Sequence, residues 1–177
     1  MCRQVAPIAL AVGPELTREA VLSELFELLR DEENAVRMGA LAAAVALLEH
    51  MTAEHRRQYV YPAMRANATS QDDGAAAAAA GLFGALALKA TGDLEDEAVF
   101  ESLLGTFAGL AGSQDGALRE ACAAAFPAVL KAVGSRKYAM HLHSMYVALA
   151  CDQDEAVRRV VAEGFSEVRV KERGTRD

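Results

Sequence analysis

The chain has 177 residues, of which 53% are hydrophobic and 24% are charged, a balance typical of a protein with a substantial buried core. Its net charge is −7, which argues against nucleic acid as a partner because phosphates require a basic surface. Trp is absent, aromatic residues make up only 6% and Ala, the best helix former, is abundant, so the composition predicts an all-α protein.

The first predicted helix pair lies between a Gly-Pro break at residues 13–14 and Met51. Its first helix begins at Thr17, a residue type that caps helices well, and ends near Arg30 with apolar residues at helical spacing. A turn over residues 31–34 leads into the second helix, which is predicted to end at Met51. Two amphipathic helices joined by a short turn thus form the unit expected along the chain.

The second pair combines a proline-containing helix with an alanine-rich one. Its first helix is predicted from Thr52 to Ala68, with a kink at the turn before Pro62. Its second helix is predicted over residues 74–90, and its apolar tract is shorter than the ~20 residues that span a bilayer. The sequence therefore predicts no membrane association.

Two further pairs follow by the same criteria. The third has a first helix that begins in the acidic stretch at residues 93–100, where carboxylates suit the positive end of a helix dipole. Its second helix is predicted over residues 117–133. The fourth pair is predicted over residues 136–150 and 154–170, followed by a polar tail at residues 171–177.

A heptapeptide recurs at the turn of each pair. "DEENAVR" begins at Asp31 and "DQDEAVR" at Asp152, and the weaker copies "SQDDGAA" and "SQDGALR" begin at Ser70 and Ser113. The spacings are 39, 43 and 39 residues, and a near-constant period of about 40 residues is the signature of a helical repeat array. We therefore divide residues 1–170 into a half-repeat at 1–13 and repeats at about 14–51, 52–92, 93–134 and 135–170.

The chemistry of the heptapeptide indicates a structural role. An Asp in the turn can cap the following helix, and the Arg that ends the heptapeptide can reach the turn Asp of a neighbouring unit, which would join successive turns in a ladder. The residues given this role are Asp31, Arg37, Arg119, Asp152 and Arg158. The second unit has Ala75-Ala76 where Val-Arg belongs, so its rung should be missing. With Gly74, Gly81 and Gly84 in or beside its helix, this unit should be the weakest.

With this period, this turn motif and a kinked first helix, the chain resembles a HEAT-repeat protein. Pro62, eight residues before Ser70, matches a proline that these repeats often carry. "VGPELT" at residues 12–17, "LREACAAAFPAVLKAVG" and "VRRVVAEGFSEV" are similar to stretches of the scaffold A subunit of protein phosphatase 2A and of the HEAT-repeat regulatory subunits of protein phosphatase 4. The resemblance implies an α-α superhelix of about four helix pairs plus a leading half-repeat.

The resemblance also implies a function: a non-catalytic, protein-binding scaffold, either a phosphatase regulatory or scaffold subunit or a fragment of one. The implied partner is a Ser/Thr phosphatase catalytic subunit, and no cofactor is implied. Such proteins bind partners along the turns between the two helices of each repeat. The contact residues predicted on this basis are Arg30, Glu32, Glu33, Asn34, Asp72, Asp73, Gln114, Asp115, Gln153, Asp154 and Glu155.

Two alternatives follow from the same residues. A transport or assembly adaptor of the importin-like kind would bind through the second helices instead of the turns. An enzyme is not favoured: His141 and His143 are of metal-ligating types, but residues two apart on a helix point to different sides, and Cys122 has no adjacent base. We therefore predict no catalytic, cofactor or metal site.

Two further expectations concern the chain as a whole. Three scattered cysteines favour free thiols in a reducing compartment, hence a cytoplasmic location with the nucleus as a second one. Apolar residues at both ends suggest that the chain is a segment of a longer array, or pairs with another molecule there.

Overall fold

The computed structural model describes the backbone of residues 20–173 and the side chains of residues 20–164. Within this part of the chain the regular structure is helical and no β-strand occurs, which confirms the predicted all-α class. In chain order the helices are α1 (Leu22–Leu28), α2 (Asn34–Ala46), α3 (Ala53–His55, Arg56–Val60 and Tyr61–Ala68 in succession), α4 (Asp73–Lys89), α5 (Glu97–Ala111), α6 (Gly116–Lys137), α7 (Tyr138–Leu142 and His143–Ala150) and α8 (Glu155–Arg173). 3₁₀ turns at Leu48–His50 and Asp93–Glu95 precede α3 and α5.

The predicted boundaries can be compared with these helices only in the described part. The half-repeat at residues 1–13 and the N-cap at Thr17 lie outside it. Helix α2 ends at Ala46, before the predicted end at Met51, because the backbone of Leu47 (φ −94°, ψ 10°) departs from helical geometry and a 3₁₀ turn follows. Helix α8 continues to Arg173, past the predicted end at residue 170.

Helix α3 contains a π-helical segment, Arg56–Val60, directly before the turn that holds Pro62. In a regular α-helix a proline lacks one hydrogen-bond donor, and its ring collides with the carbonyl of the preceding turn. A π segment widens the helix and accommodates this mismatch. The irregularity predicted before Pro62 therefore takes the form of a π segment. Thr52 caps the start of this helix, and its hydroxyl accepts a hydrogen bond from the His55 N–H at 3.1 Å.

Residues 135–137 of α6 continue into α7 without a loop, and the change of direction lies within α6, at Gly134. Its backbone (φ 75°, ψ 171°) lies in a region that only glycine adopts without strain. The break falls directly after Val133, the predicted end of this helix. The chain thus changes direction at a single residue.

The second helices of the pairs pack side by side. Helices α2, α4, α6 and α8 contact one another in that order, while α3 contacts α5, α5 contacts α7 and each pair packs internally. Gly84 of α4 lies so close to α6 that an added Cβ would be 3.1 Å from the Cβ of Ala128 and 3.3 Å from the carbonyl oxygen of Ala125. Similarly, Gly164 of α8 lies against Pro127 of α6. Helices α2 and α4 meet at Met38 and Gly74 near their starts and at Ala46 and Lys89 at their ends, so they run parallel. Helices α6 and α8 do the same, since Gly116 lies against Asp154 at their starts and Pro127 against Gly164 further along.

A line of aromatic rings crosses the core from α4 to α7. The ring centroids of Phe83 and Phe107 are 4.8 Å apart, those of Phe107 and Phe126 5.9 Å, and those of Phe126 and Tyr146 5.3 Å. Large rings therefore fill the space between the layers, while alanines line the contact between neighbouring second helices. No helix in the described part is both long and apolar enough to cross a bilayer.

Candidate protein-binding ridge

The first residue of each heptapeptide shapes its turn in the same way. The carboxylates of Asp31 and Asp152 each accept a hydrogen bond at 2.8 Å from the backbone N–H two residues later. The hydroxyls of Ser70 and Ser113 accept the equivalent bond at 3.1 Å. The side chains of Asp and Ser can both place an oxygen within hydrogen-bonding distance of the backbone N–H two residues later. The strong and weak copies of the motif are therefore the same turn.

The third residue of the heptapeptide caps the second helix of the pair. Asp72, Asp115 and Asp154 each accept a hydrogen bond at 2.9 Å from a backbone N–H in the first turn of α4, α6 and α8. Such a cap satisfies a donor that has no partner within the helix. Glu33, at the same position in the first copy, makes no side-chain cap. A turn Asp therefore caps the helix in three of the copies, but Asp31 and Asp152, the residues expected to cap, do not; their carboxylates bond within the turn because they lie too early in it to reach the helix.

The last residue of the heptapeptide closes the turn from the other side. Where it is Arg, its Nη1 donates to the carbonyl oxygen of the first residue. The distances are 2.7 Å from Arg37 to Asp31, 2.9 Å from Arg119 to Ser113 and 2.5 Å from Arg158 to Asp152. The guanidinium thus satisfies backbone carbonyls within its own turn.

Arg119 also forms the predicted rung to the next turn. Its Nε and Nη2 donate to the two carboxylate oxygens of Asp152 at 2.7 and 2.9 Å, and both side chains are at most 10% exposed. Between the first and second turns the connection runs through an amide, because Asn34 accepts from Arg37 and donates to Asp72 at 2.8 Å. Two of the junctions between turns are therefore bridged.

The rung is missing where the sequence predicts it. Ala76 holds the position of the Arg, and within the described residues no hydrogen bond or ion pair joins residues 70–76 to residues 113–119. The second and third turns are thus held side by side by helix packing, that of α4 on α6 and of α3 on α5.

The hydrogen bonds of the turns fix the ionisation of their carboxylates. The Arg119 guanidinium holds the pKa of the Asp152 carboxyl below its usual value, and the backbone N–H of Asp154 acts in the same direction. For Asp72 the backbone N–H of Ala75 is the main cause of a lowered pKa, followed by the amide of Asn34. At neutral pH these carboxylates are charged and serve the turn itself.

The predicted contact residues fall into two groups. The first holds the turns together through side-chain hydrogen bonds: Asn34, Asp72, Asp115 and Asp154. The second consists of exposed side chains: Arg30, Glu32, Glu33, Asp73, Gln114, Gln153 and Glu155. Arg30 lies over the ring of Tyr59, with 5.1 Å between its Cζ and the ring centroid. We call this second group the turn ridge, and six of its seven members are carboxylates or amides.

On the opposite edge lies an ion pair of low exposure that was not predicted from the sequence. Nε and Nη2 of Arg56 donate to the carboxylate of Asp93 at 2.6 and 2.7 Å, and the Tyr61 hydroxyl donates to the same carboxylate. Next to it, Arg57 pairs with Asp96 at 2.8 Å. The pairs are 37 and 39 residues apart, close to the repeat period. Opposite charges one period apart were therefore the signal that could have found them.

The residues considered for chemistry have structural partners instead. His141 packs edge-on against Phe100, and Nδ1 of His143 lies 3.2 Å from the Tyr138 hydroxyl. Burial raises the pKa of the Cys122 thiol to about 12, so the thiolate that would be reactive does not form at neutral pH. Within the described residues no group of three or more His, Cys, Asp or Glu side chains is placed to hold a metal ion.

An apolar cavity is also present between α4, α5 and α6. Its volume is about 20 Å³, room for little more than a water molecule, and its lining includes Phe83, Leu103 and Val129. No polar side chain lines it, so it offers neither a binding nor a catalytic group.

Comparison with known proteins points to one kind of protein. No protein-family model matches the chain. It is 28% identical over 192 residues to serine/threonine-protein phosphatase 4 regulatory subunit 4 of Mus musculus, an alignment that covers 95% of this chain and 22% of the mouse protein. It is 43% identical over 65 residues to the protein of the same name from Homo sapiens, which covers 37% of this chain and 7% of the human one. The chain thus spans about a fifth of the length of the mouse relative and is homologous, at modest identity, to a regulatory subunit of a Ser/Thr phosphatase.

Proposed function

We propose that this chain is a non-catalytic, HEAT-type scaffold that forms part of a phosphatase regulatory subunit. Its homology to a phosphatase 4 regulatory subunit along 95% of its length is the observation that carries the proposal. The parallel row of second helices and the repeated turn are what a superhelical array of such repeats would contain. We place it in the cytoplasm or nucleus, where the thiols of Cys122 and Cys151 stay reduced.

The turn ridge is the surface that we assign to the partner. The cations of the turns, Arg37, Arg119 and Arg158, already donate to carbonyl oxygens of their own turns. The exposed charges that remain along the ridge are mostly carboxylates, such as those of Glu32 and Glu33. An acidic edge on a chain of net charge −7 suits a partner with a basic contact surface. The proposed partner is the catalytic subunit of a Ser/Thr phosphatase.

Binding to a purified phosphatase 4 catalytic subunit tests this proposal. The double variant Glu32→Lys/Glu33→Lys reverses two charges on the ridge, and we expect it to weaken binding about tenfold or more, since opposing like charges costs several kcal/mol at an interface. Affinity is measured by biolayer interferometry at two salt concentrations.

A matched control reverses two exposed charges away from the turns, Glu54→Lys/Glu101→Lys. We expect this variant to bind as the parent chain does. If the two double variants weaken binding equally, net charge and not the ridge determines affinity, and the ridge assignment is wrong. If the parent chain does not bind the catalytic subunit at all, the proposed partner is wrong.

The adaptor function is the second candidate, and α4 is the observation that favours it. Between Asp73 and Lys89 this helix carries no charged or polar side chain, and Leu88 is 41% exposed. Solvent-facing helix surfaces are normally polar. A partner bound along the second helices would be displaced by Ala85→Glu, an exposed site on α4, while Glu32→Lys/Glu33→Lys would leave it bound.

A further inference from the structure

The junction between the second and third helix pairs is fastened unevenly at its two edges. One edge is where α3 and α5 begin, and there Arg56 pairs with Asp93 through two hydrogen bonds of 2.6 and 2.7 Å. Asp93 is 7% exposed, and Arg56 also donates to the carbonyl oxygen of Met51 at 2.6 Å. We call the Arg56–Asp93 pair the pin. Two bonds between charged partners at low exposure make this edge rigid.

The other edge of the same junction lies at the turns and has no such fastening. Position for position, the residues that form the rung between the third and fourth turns are Arg119 and Asp152. At the junction of the second and third turns these positions hold Ala76 and Ser113. An alanine has no donor and its methyl group cannot span the gap, so the turn edge here depends on helix packing alone.

The packing between α4 and α6 has the same asymmetry. Gly84, in the half of α4 that leads to the pin, lies against the backbone of α6, since an added Cβ would be 3.3 Å from the carbonyl oxygen of Ala125. In the half that begins at the turn, residues 75–80 are all alanine. Alanine buries little apolar area per residue, so each of these side chains stabilises the contact less than a larger one would. The turn half of the junction therefore has small side chains in its contact and no polar bridge.

We propose that the α4–α6 junction is a built-in hinge: the second and third turns separate and close again, with the pin as the pivot. A chain that bends there changes the spacing of the turn ridge between its first and second halves. The hinge follows from contacts within the chain and does not depend on which partner binds.

Spin-label distances measure this motion directly. Gln71, Gln114 and Gln153 are exposed and hold the same position in three heptapeptides, so labels at 71 and 114 span the proposed hinge and labels at 114 and 153 span the bridged junction. They are introduced as Gln→Cys in a Cys2→Ser/Cys151→Ser background, while the buried Cys122 is kept. By double electron–electron resonance we expect a broad distance distribution for 71–114 and a narrow one for 114–153.

Exchanging the two residue pairs provides matched variants. Ala76→Arg/Ser113→Asp introduces the Arg–Asp pair of the rung between the second and third turns, and we expect the 71–114 distribution to narrow. Arg119→Ala/Asp152→Ser removes the rung from the bridged junction, and we expect the 114–153 distribution to broaden.

Hydrogen exchange is the second readout: amides at residues 75–80 should exchange about tenfold more slowly once the rung is present, as expected for a charge-assisted pair. In the parent chain they should exchange faster than those of α2.

The comparison of the 71–114 and 114–153 distributions uses the parent turns, so it does not require either exchange variant to fold. Distributions of equal width for 71–114 and 114–153 would overturn the hinge. So would a 114–153 distribution that stays narrow in folded Arg119→Ala/Asp152→Ser, because the rung would then be irrelevant to rigidity. The hinge and the partner proposal fail separately, since neither label measurement includes a phosphatase.

Discussion

A single carboxylate, that of Asp93, ties the start of helix α3 to the turn before α5. It accepts from Arg56 and from Tyr61 and is 7% exposed. The Arg56 guanidinium is the main cause that lowers the pKa of Asp93, whereas burial and the neighbouring carboxylate raise the pKa of Tyr61. The group is therefore an ionised carboxylate held by a cation and a neutral phenol. Because the charge is buried, removing one of its partners is expected to cost the protein stability.

Adjacent arginines allow this cost to be measured with a control. We expect Arg56→Gln to lower the free energy of unfolding by about 2–4 kcal/mol, because it leaves Asp93 buried without its cation. Arg57→Gln should lower it by less than about 1 kcal/mol, since the Arg57–Asp96 pair is 44% and 40% exposed. Urea denaturation gives both values. Equal losses would show that burial does not set the strength of these pairs.

At the scale of the element, helix α4 shows how a helix of small side chains can still be well packed. The sequence predicts that the second unit, to which α4 belongs, is the weakest of the array because it lacks the Val-Arg pair and contains several glycines and many alanines. Its alanines at positions 75, 76, 79 and 80 are at most 4% exposed, and Gly84 packs against Ala125 and Ala128 of α6. A glycine there permits contact between two helix backbones. The relative stability of this helix stays a prediction, to be read from its hydrogen exchange.

Two glycines of α4 should respond oppositely to the same substitution. Gly81 is exposed with no atom within 4 Å of an added Cβ, so Gly81→Ala should stabilise the chain by about 0.5–1 kcal/mol through helix propensity. At Gly84 the added methyl would meet Ala128 at 3.1 Å and the Ala125 carbonyl at 3.3 Å. We expect Gly84→Ala to destabilise the chain by about 1 kcal/mol or more, because α4 and α6 must move apart.

Thermal or urea unfolding of both variants measures this difference. A stabilising effect of Gly84→Ala as large as that of Gly81→Ala would mean that the two helices separate at no cost. In that case the contact of Gly84 with α6 would not restrain the motion of the proposed hinge.

At the scale of the whole molecule, three carboxylates with lowered pKa link stability to acid. They belong to Asp72, Asp93 and Asp152, and the principal causes are a backbone N–H, Arg56 and Arg119 respectively. In the unfolded chain an Asp titrates near its ordinary pKa of about 3.9. As the pH falls, the unfolded chain therefore binds protons first. Their contribution to stability is fully present above the unfolded pKa and is lost as the pH falls through the folded values.

We therefore expect stability to decline as the pH falls below about 4. The double variant Asp93→Asn/Asp152→Asn should be less stable at pH 7 and should lose less stability than the parent between pH 5 and about 3. Urea midpoints across this range test the prediction. A parent chain and a double variant with parallel pH profiles would exclude these two carboxylates as the cause.

The repeated turn shows how much the sequence by itself determined. The period of about 40 residues and the missing rung at Ala76 follow from residue types at fixed spacing. A cap by a turn Asp was also predicted, but at the first residue of the heptapeptide, whereas the third residue makes it. Helix boundaries were predicted where a Gly or Pro marks them, as at Gly134. The end of α2 was not, because it depends on how a 3₁₀ turn buries Leu48 and Met51 against the rest of the core.

The Arg119–Asp152 pair was predicted from the repeat, but only the tertiary structure decided that Arg56 pairs with Asp93. These two residues are 37 positions apart, close to the repeat period, yet both lie outside the turn motif from which pairing was predicted. The tertiary structure also decided the roles of the predicted contact residues, some of which the turns use for their own hydrogen bonds while others stay exposed. Local hydrogen bonding is set by neighbours in the chain, which a sequence displays. Burial and long-range pairing are set by how helices pack, because there small side chains such as Gly84 determine how closely two backbones approach.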